Sequence, residues 1–358
     1  MPSPKLSLGL MSGTSLDGVD AALLRTDGQS VSEHGQALTL PYPEALRARL
    51  RSVLGGVGPV AEVEREVTLF HARAVAALLD QAGVAANEVE VIGFHGHTIL
   101  HRPQQQKTWQ IGDGALLAAQ TGIAVVNDFR SADVAAGGQG APLVPVFHAA
   151  LAEGLGRPVA VLNLGGVGNV TWIDAEGAIL AFDTGPGNAL IDDWALHHTG
   201  KPVDEDGALA AAGQVDAAAV AAFLGHPFFA VRPPKSLDRD DFRSLAARLV
   251  AGATPADGAA TLTAFTIAAV VSAAGHLPAP PVRWLVCGGG RRNPQIMAGL
   301  ARALAAPVAA VDDEGWDGDA LEAQAFAYLA VRSLRGLPLS LPTTTGVSAA
   351  MTGGVRVG

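Results

Sequence analysis

Two stretches of this chain gather carboxylates, hydroxyls and glycines more densely than a plain turn requires. The first, Leu8-Gly-Leu-Met-Ser-Gly-Thr-Ser-Leu-Asp-Gly-Val-Asp20, lies between apolar runs at 5–11 and 19–24, so its polar residues fall on a turn joining two strands. Gly13 and Gly18 admit φ > 0 and a ligand close to the backbone. Successive N–H groups in such a turn can converge on an anion, and Ser12, Thr14 and Ser15 add hydroxyl donors. Asp17 or Asp20 could then hold Mg²⁺ through water, with no direct protein ligand to the metal. This is a phosphate-gripping chemistry, but not a Walker A loop, because the one Gly-Lys pair, Gly200-Lys201, is followed by Pro202. A hairpin with a simple Asp-Gly turn would need only two of these residues.

The second stretch is Asp183-Thr-Gly-Pro-Gly-Asn188, between a strand at 178–182 and a helix at 189–198. Asp183 is placed at the strand's C-terminal end, where α/β proteins put their chemistry, and suits a base; the alternative is an Asx-turn that stabilises the loop. Asn188 suits the helix N-cap, and Asp192 and Asp193 favour its dipole. Just upstream, a strand at 158–164 leads into Gly165-Gly-Val-Gly-Asn169 and a second strand. The opening pattern thus recurs about 155 residues on, as two copies of one phosphate-gripping hairpin. Gly288, Gly289 and Gly290, between a strand at 282–287 and a helix begun by Pro294, would let the flat ring of a nucleoside lie on the backbone. Glu322 opens a helix at 320–334 and could hydrogen-bond a sugar. His95, His97 and His101 follow a strand at 89–94; His95 and His97 are expected on one strand face with no carboxylate or cysteine nearby, so the rim of a sugar site or buried core histidines suit them better than zinc. Arg130 and Asp133 could reach a substrate or form a surface ion pair.

These residues need a frame. At 358 residues the chain exceeds the size at which single cores stop growing, about 250–300 residues, so two domains with a cleft are expected. The expected boundaries are 1–130, completed by 317–358, and 131–316, the break falling before the glycine-rich segment 135–142. Hydrophobic residues make up 49% and charged ones 16%, which excludes a mainly disordered chain. The net charge of −10 argues against nucleic acid or an anionic membrane as partner. A single cysteine, Cys287, excludes a disulfide framework, and the apolar run at 6–11 is too short for a secretory signal; a cytoplasmic location is expected. Residues 258–275 carry no charge, but their Ala and Thr content suits a buried helix better than a membrane span.

Taken together, Gly9-Leu-Met-Ser-Gly-Thr-Ser-Leu-Asp-Gly-Val-Asp20, Asn163-Leu-Gly-Gly-Val-Gly-Asn169, Phe182-Asp-Thr-Gly-Pro-Gly-Asn188, Cys287-Gly-Gly-Gly290 and Glu322-Ala-Gln-Ala-Phe-Ala327 resemble the anhydro-N-acetylmuramic acid kinase family, in the right order over nearly the whole chain. The resemblance implies an α/β chain of two ribonuclease-H-like lobes, the actin-like ATPase fold, with a nucleotide cleft between them. It implies an ATP- and Mg²⁺-dependent reaction that opens the 1,6-anhydro bridge with water and phosphorylates O6, in cell-wall recycling, by a homodimer. Carried over by position, Gly13, Thr14, Ser15, Leu16, Asp17, Gly18, Val19 and Asp20 would bind ATP phosphates, Gly165, Gly166 and Gly168 the facing phosphate side, and Gly288, Gly289 and Gly290 the nucleoside. Asp183 would be the base; Ser15, Asp17, His95, Arg130 and Glu322 would contact the sugar. His97 stands where that family usually has Gln, and Leu237-Asp238 where it usually has Thr-Gly. One carboxylate suffices for such a reaction, because the leaving O6 is captured by the phosphoryl group and needs no second acid. Two other readings share these hairpins: another small-sugar or acid kinase of the same fold, and a non-enzymatic actin-like ATPase.

Overall fold

The computed structural model describes residues 3–13 and 15–358. The chain divides into two units, Met1–Glu153 with Ala320–Gly358, and Gly154–Asp319. The first unit thus runs past residue 130, the expected break. Two contacts explain this: buried Asp133 accepts hydrogen bonds from the Ser340 and Thr345 hydroxyls, and the Phe147 ring lies 5.3 Å from Tyr328. Both tie 131–153 to the C-terminal segment.

In the first unit the strands are β1 (Lys5–Ser12), β2 (Gly18–Thr26), β3 (Val31–Pro41), β4 (Val91–Arg102), β5 (Lys107–Ile111) and β6 (Val125–Asn127). In the second they are β7 (Val159–Leu164), β8 (Val167–Ile173), β9 (Ile179–Pro186), β10 (Arg283–Cys287) and β11 (Val308–Ala310); β12 (Val355–Val357) returns to the first. The first sheet runs β12-β6-β4-β1-β2-β3 with β5 on β4, and the second β11-β10-β7-β8-β9. In both, a three-stranded antiparallel meander is followed by two strands parallel to its first: β4 beside β1 and β6 beside β4, then β10 beside β7 and β11 beside β10. One ribonuclease-H-like topology therefore occurs twice, and the chain has the α/β class of the actin-like ATPases. Strand β3 carries the polar segment Ser32-Glu-His34 and is largely exposed along its length, as an edge strand should be.

Each sheet has a long, largely buried helix packed on it. Leu321–Leu334 is buried over most of its length and meets the first sheet backbone to backbone. A Cβ on Gly9 would lie 1.7 Å from the Ala323 carbonyl oxygen, and one on Gly93 2.0 Å from that of Phe326. In the second unit, Pro255–Ala274 is long and apolar enough to cross a membrane by length and composition, yet Leu262, Phe265, Ala269 and Val270 are buried in that unit's core. Two short helices, Ala208–Ala211 and Ala217–Leu224, precede it. Gly213 packs on the backbone of Ala256, and the Asp216 carboxylate caps the second helix by accepting from the N–H groups of Ala218 and Ala219.

The contact at Gly9 makes a stability prediction. Gly9→Ala forces the helix away from β1; overpacking costs about 1–3 kcal/mol, so a thermal melt should show the midpoint lowered by roughly 3–10 °C. An unchanged midpoint would mean that helix and strand are not in backbone contact.

Candidate active site

In the first unit, β1 and β2 pair up to Met11 and Asp20, leaving 13–17 as the connecting turn; Thr14 lies outside the described residues. The turn is closed by the Leu16 N–H donating to the Gly13 carbonyl at 3.1 Å. The left-handed backbone expected at Gly13 and Gly18 falls instead on Leu16, with φ 62°, a conformation uncommon for a branched side chain. Gly18 serves another purpose: it lies in β2, where a Cβ would be 2.4 Å from the Leu40 carbonyl oxygen. At Gly13 the nearest atom to a Cβ is Ser15 Oγ at 3.6 Å, so the turn has room on its outer side. Ser15 and Asp17 are exposed, while Val19 is buried. Asp20 is half-buried and its carboxylate accepts from the Thr39 hydroxyl.

His95, Arg130 and Glu322 come together in this unit. The His95 Nδ1–H donates to the Gly96 carbonyl at 3.0 Å, which leaves Nε2 to accept from Arg130 Nη2 at 3.0 Å and Nε at 3.2 Å. Burial, reinforced by the Arg130 charge, holds the imidazole well below its usual pKa. Burial pulls Arg130 down to about 10, still cationic at neutral pH, against the attraction of Glu322 and Asp133. Asp133 itself is 2% exposed and belongs to the interior, not to a surface ion pair. His95 and His97 do not share a face. Gly96, with φ 73°, sits in an irregularity of the β1–β4 ladder, so His95 packs on Phe326 while His97 meets Ser12. Beside His95 is a pocket of ≈ 210 Å³ lined by Phe94, Trp109, Gln110, Asn127 and Asp128 among others. The buried Asn127 Oδ1 has no hydrogen-bond partner, and Asp128 has φ 53°. A partnerless buried acceptor and a strained non-glycine residue are features that accumulate at binding sites.

In the second unit, Leu164 pairs with Gly168 and the turn is Gly165–Gly166. The N–H groups of Asn188 and Gly187 donate to the carbonyls of Gly165 (2.7 Å) and Gly166 (2.9 Å), which turns those carbonyls inward. A Cβ at Gly165 or Gly166 would meet nothing closer than 3.7 Å, whereas at Gly168 it would be 2.6 Å from Thr184 Oγ1. The first two glycines leave space for a ligand and the third is required by packing. Asn188 makes no side-chain cap of its helix; its Nδ2–H donates to the Leu164 carbonyl at 2.8 Å and pins the hairpin. At the end of β10, Gly288 has φ 74°, and Cβ atoms on Gly288 and Gly290 would strike Asn163 and Leu164 at 2.4 and 2.5 Å. The loop therefore lies flat on the end of β7, beside Gly165.

Asp183 is not in a loop after the strand but inside β9, where the ladder shifts: Gly168 pairs with Gly185 and Asn169 with Asp183, leaving Thr184 extra. A β-bulge of this kind re-aims a side chain without ending the strand. The segment after Pro234 runs alongside. The Asp183 N–H donates to the Lys235 carbonyl at 3.0 Å, and the Leu237 N–H donates to Asp183 Oδ2 at 2.8 Å. Burial pushes the Asp183 carboxyl up to about 7, against the opposing pull of the Leu237 N–H and the Lys235 ammonium. Lys235, 8% exposed, donates to the Phe228 carbonyl at 3.1 Å and lies 4.3 Å from the centre of the Phe228 ring; burial pulls its pKa down to about 8.

A family model for anhydro-N-acetylmuramic acid kinase matches residues 5–357. The chain belongs to this family. It is 66% identical to the anhydro-N-acetylmuramic acid kinase of Paramagnetospirillum magneticum, over 98% of both chains, and 59% identical to that of Rhodospirillum rubrum, over 97% of this chain and 93% of the relative. Among solved structures, (R)-2-hydroxyglutaryl-CoA dehydratase component A of Acidaminococcus fermentans aligns with TM-score 0.48 at 13% identity, over 92% of this chain and 99% of that one. A glucokinase of Streptomyces griseus, in complex with glucose and AMPPNP, aligns with TM-score 0.40 at 16% identity, over 91% and 99%.

Two residues that sequence reasoning passed over stand beside these family motifs. Lys235 is one of them: its charge acts on the Asp183 carboxyl. Arg291, with a side chain only 6% exposed, donates to the Gly288 carbonyl at 3.1 Å and to Asp312 and Asp319, and so ties the triple-glycine loop to 312–319. Asp319 is engaged by both Arg291 and Arg292.

A carboxyl whose folded pKa is raised destabilises the fold as it ionises. The cost starts above the usual value near 4 and is complete above about 7. Relative to wild type, Asp183→Asn should therefore gain melting temperature as the pH rises from 4 to 7 and hold that gain above 7. A difference between the two proteins that is flat with pH would show that Asp183 titrates normally.

Proposed function

We propose that this protein transfers the γ-phosphoryl group of ATP to O6 of 1,6-anhydro-N-acetylmuramic acid as water opens the anhydro bridge, giving N-acetylmuramic acid 6-phosphate. The family to which the chain belongs is one of phosphotransferases acting on an alcohol group. The observation that carries the finer reading is Asp183, a bulge carboxylate held by one backbone N–H and poised near neutral pH, where a general base works best. In this reading Asp183 takes a proton from water, and the water oxygen bonds to C1. The C1–O6 bond then breaks, and its electron pair makes O6 the nucleophile toward the γ-phosphorus, releasing ADP. Lys235 keeps the base from drifting to a higher pKa by lying near it when it is charged.

The remaining assignments are part of the same proposal. Gly13, Ser15, Leu16, Asp17, Val19 and Asp20, with Gly165 and Gly166, hold the phosphates, and Gly288, Gly289 and Gly290 the nucleoside, while Gly18 and Gly168 shape the two hairpins by packing; the open outer sides of Gly13, Gly165 and Gly166 support this. Exposed Asp17 and half-buried Asp20 suit an ion held through water, and Mg²⁺ bound there with ATP would neutralise phosphate charge. Ser15, Asp17, His95, Arg130 and Glu322 contact the sugar, Arg130 offering its charge to the substrate's carboxylate. The reaction belongs to peptidoglycan recycling and amino-sugar catabolism in the cytoplasm, carried out by a homodimer.

Incubation with Mg-ATP and either anhydro-N-acetylmuramic acid, N-acetylmuramic acid or N-acetylglucosamine tests the proposal through ADP release. Turnover is expected with the anhydro sugar alone, and reaction in heavy-oxygen water should label C1 and leave the phosphate unlabelled. Equal turnover of an open-ring sugar would make this an ordinary sugar kinase. Asp183→Asn should lower kcat by about 10²–10⁴ with ATP still bound; near-normal turnover would remove Asp183 from the role of base.

A further inference from the structure

Under the turn at 13–17 lies a buried polar chain that no step above uses. Ser12 ends β1, and its Oγ is 2.8 Å from the Tyr42 hydroxyl and 2.9 Å from His97 Nδ1. The three side chains are 1%, 3% and 0% exposed. Tyr42 also grips the far end of the turn, because its backbone N–H donates to the Asp17 carbonyl at 3.0 Å. Its ring is braced against Phe70, with centroids 5.0 Å apart. One hydroxyl network thus fixes both ends of the turn, and its innermost member is His97, brought there by the irregularity at Gly96.

Burying three polar groups where apolar side chains would pack costs desolvation, and such a network survives best where its directional bonds serve something. His97 Nε2 is buried with no hydrogen-bond partner, so Nδ1 is the ring's one polar link and it leads to Ser12. Burial holds the imidazole down to about 4; it is neutral at working pH, and its effect on the turn is one of hydrogen bonding and shape, not charge.

We infer that His97 is a positioning residue for the turn at 13–17: through Ser12 and Tyr42 it sets the direction in which the turn presents its backbone N–H groups. The inference rests on the proposed role of that turn in holding ATP phosphates. It assigns His97 an effect that is larger on nucleotide than on the sugar, which meets the turn only through Ser15 and Asp17, and it separates His97 from His95, two residues away, in the sugar group.

The experiment compares His97→Leu, His97→Gln, Tyr42→Phe and Gly13→Trp with wild type, measuring KM for ATP, KM for the anhydro sugar and the melting temperature. Losing one buried hydrogen bond corresponds to about a tenfold effect. His97→Leu should raise KM for ATP by about that factor and KM for the sugar by clearly less. His97→Gln, whose amide can still bond Ser12, should recover most of the loss, and Tyr42→Phe should act in the same direction as His97→Leu even if the latter folds poorly. A fall in melting temperature with both KM values unchanged, or an equal rise in both, would overturn the inference and leave His97 a packing residue. Gly13→Trp separates the two levels. It fills the open side of the turn, so if it too leaves ATP binding intact, the turn is not a phosphate site; if it abolishes binding while His97→Leu and Tyr42→Phe do not change KM for ATP, the turn is one and His97 does not position it.

Discussion

In the proposed reaction everything depends on the partial burial of the Asp183 carboxyl in its bulge. An exposed carboxylate would be a weak base with a pKa near 4; moved to about 7, the same group is a base of useful strength at neutral pH. The shift needs a balance. Burial raises the value, while one backbone N–H from Leu237 and the nearby Lys235 ammonium restrain it. The bulge at Thr184 and the segment 235–237 supply both sides of that balance, since they flank the carboxyl and bring the Leu237 N–H to 2.8 Å from it.

The rest of the fold makes such local precision affordable by repetition. Two sheets of one topology each begin with a hairpin whose turn is held from behind by hydrogen bonds: the first by Ser12 and Tyr42, the second by the N–H groups of Gly187 and Asn188. In both units a helix or loop approaches a strand at backbone distance through glycine, as at Gly9, Gly93, Gly288 and Gly290. Several glycines that look like ligand positions from their motifs are thus packing positions. Gly18 and Gly168 are of this kind, whereas Gly13, Gly165 and Gly166 remain open.

The hairpins, the strands at 159–164 and 283–287 and the helix at 321–334 were legible from apolar runs and glycine punctuation, because their burial is continuous. Strand β3 was not, since a mostly exposed edge strand carries no apolar period. Bulges were invisible for a different reason: the period of two that places residues on a face fails where a residue is added. At Gly96 this separated His95 from His97, and at Thr184 it kept Asp183 within its strand. The break between units was set too early because the bonds of Asp133 reach more than 200 residues along the chain. Lys235 and Arg291 gave no signal, as a lone cation acquires meaning only from the carboxylates and carbonyls that tertiary structure brings to it.

In the proposed reaction one carboxyl of this chain is kept from its ordinary ionisation so that it can act as the base. Carbon-13 NMR of protein labelled at aspartate side-chain carboxyls, titrated from pH 4 to 9, tests it without reference to turnover, with the Asp183→Asn spectrum identifying the signal. The account predicts that the Asp183 resonance titrates with a midpoint about 7. A midpoint near 4, together with those of the exposed aspartates, would contradict it.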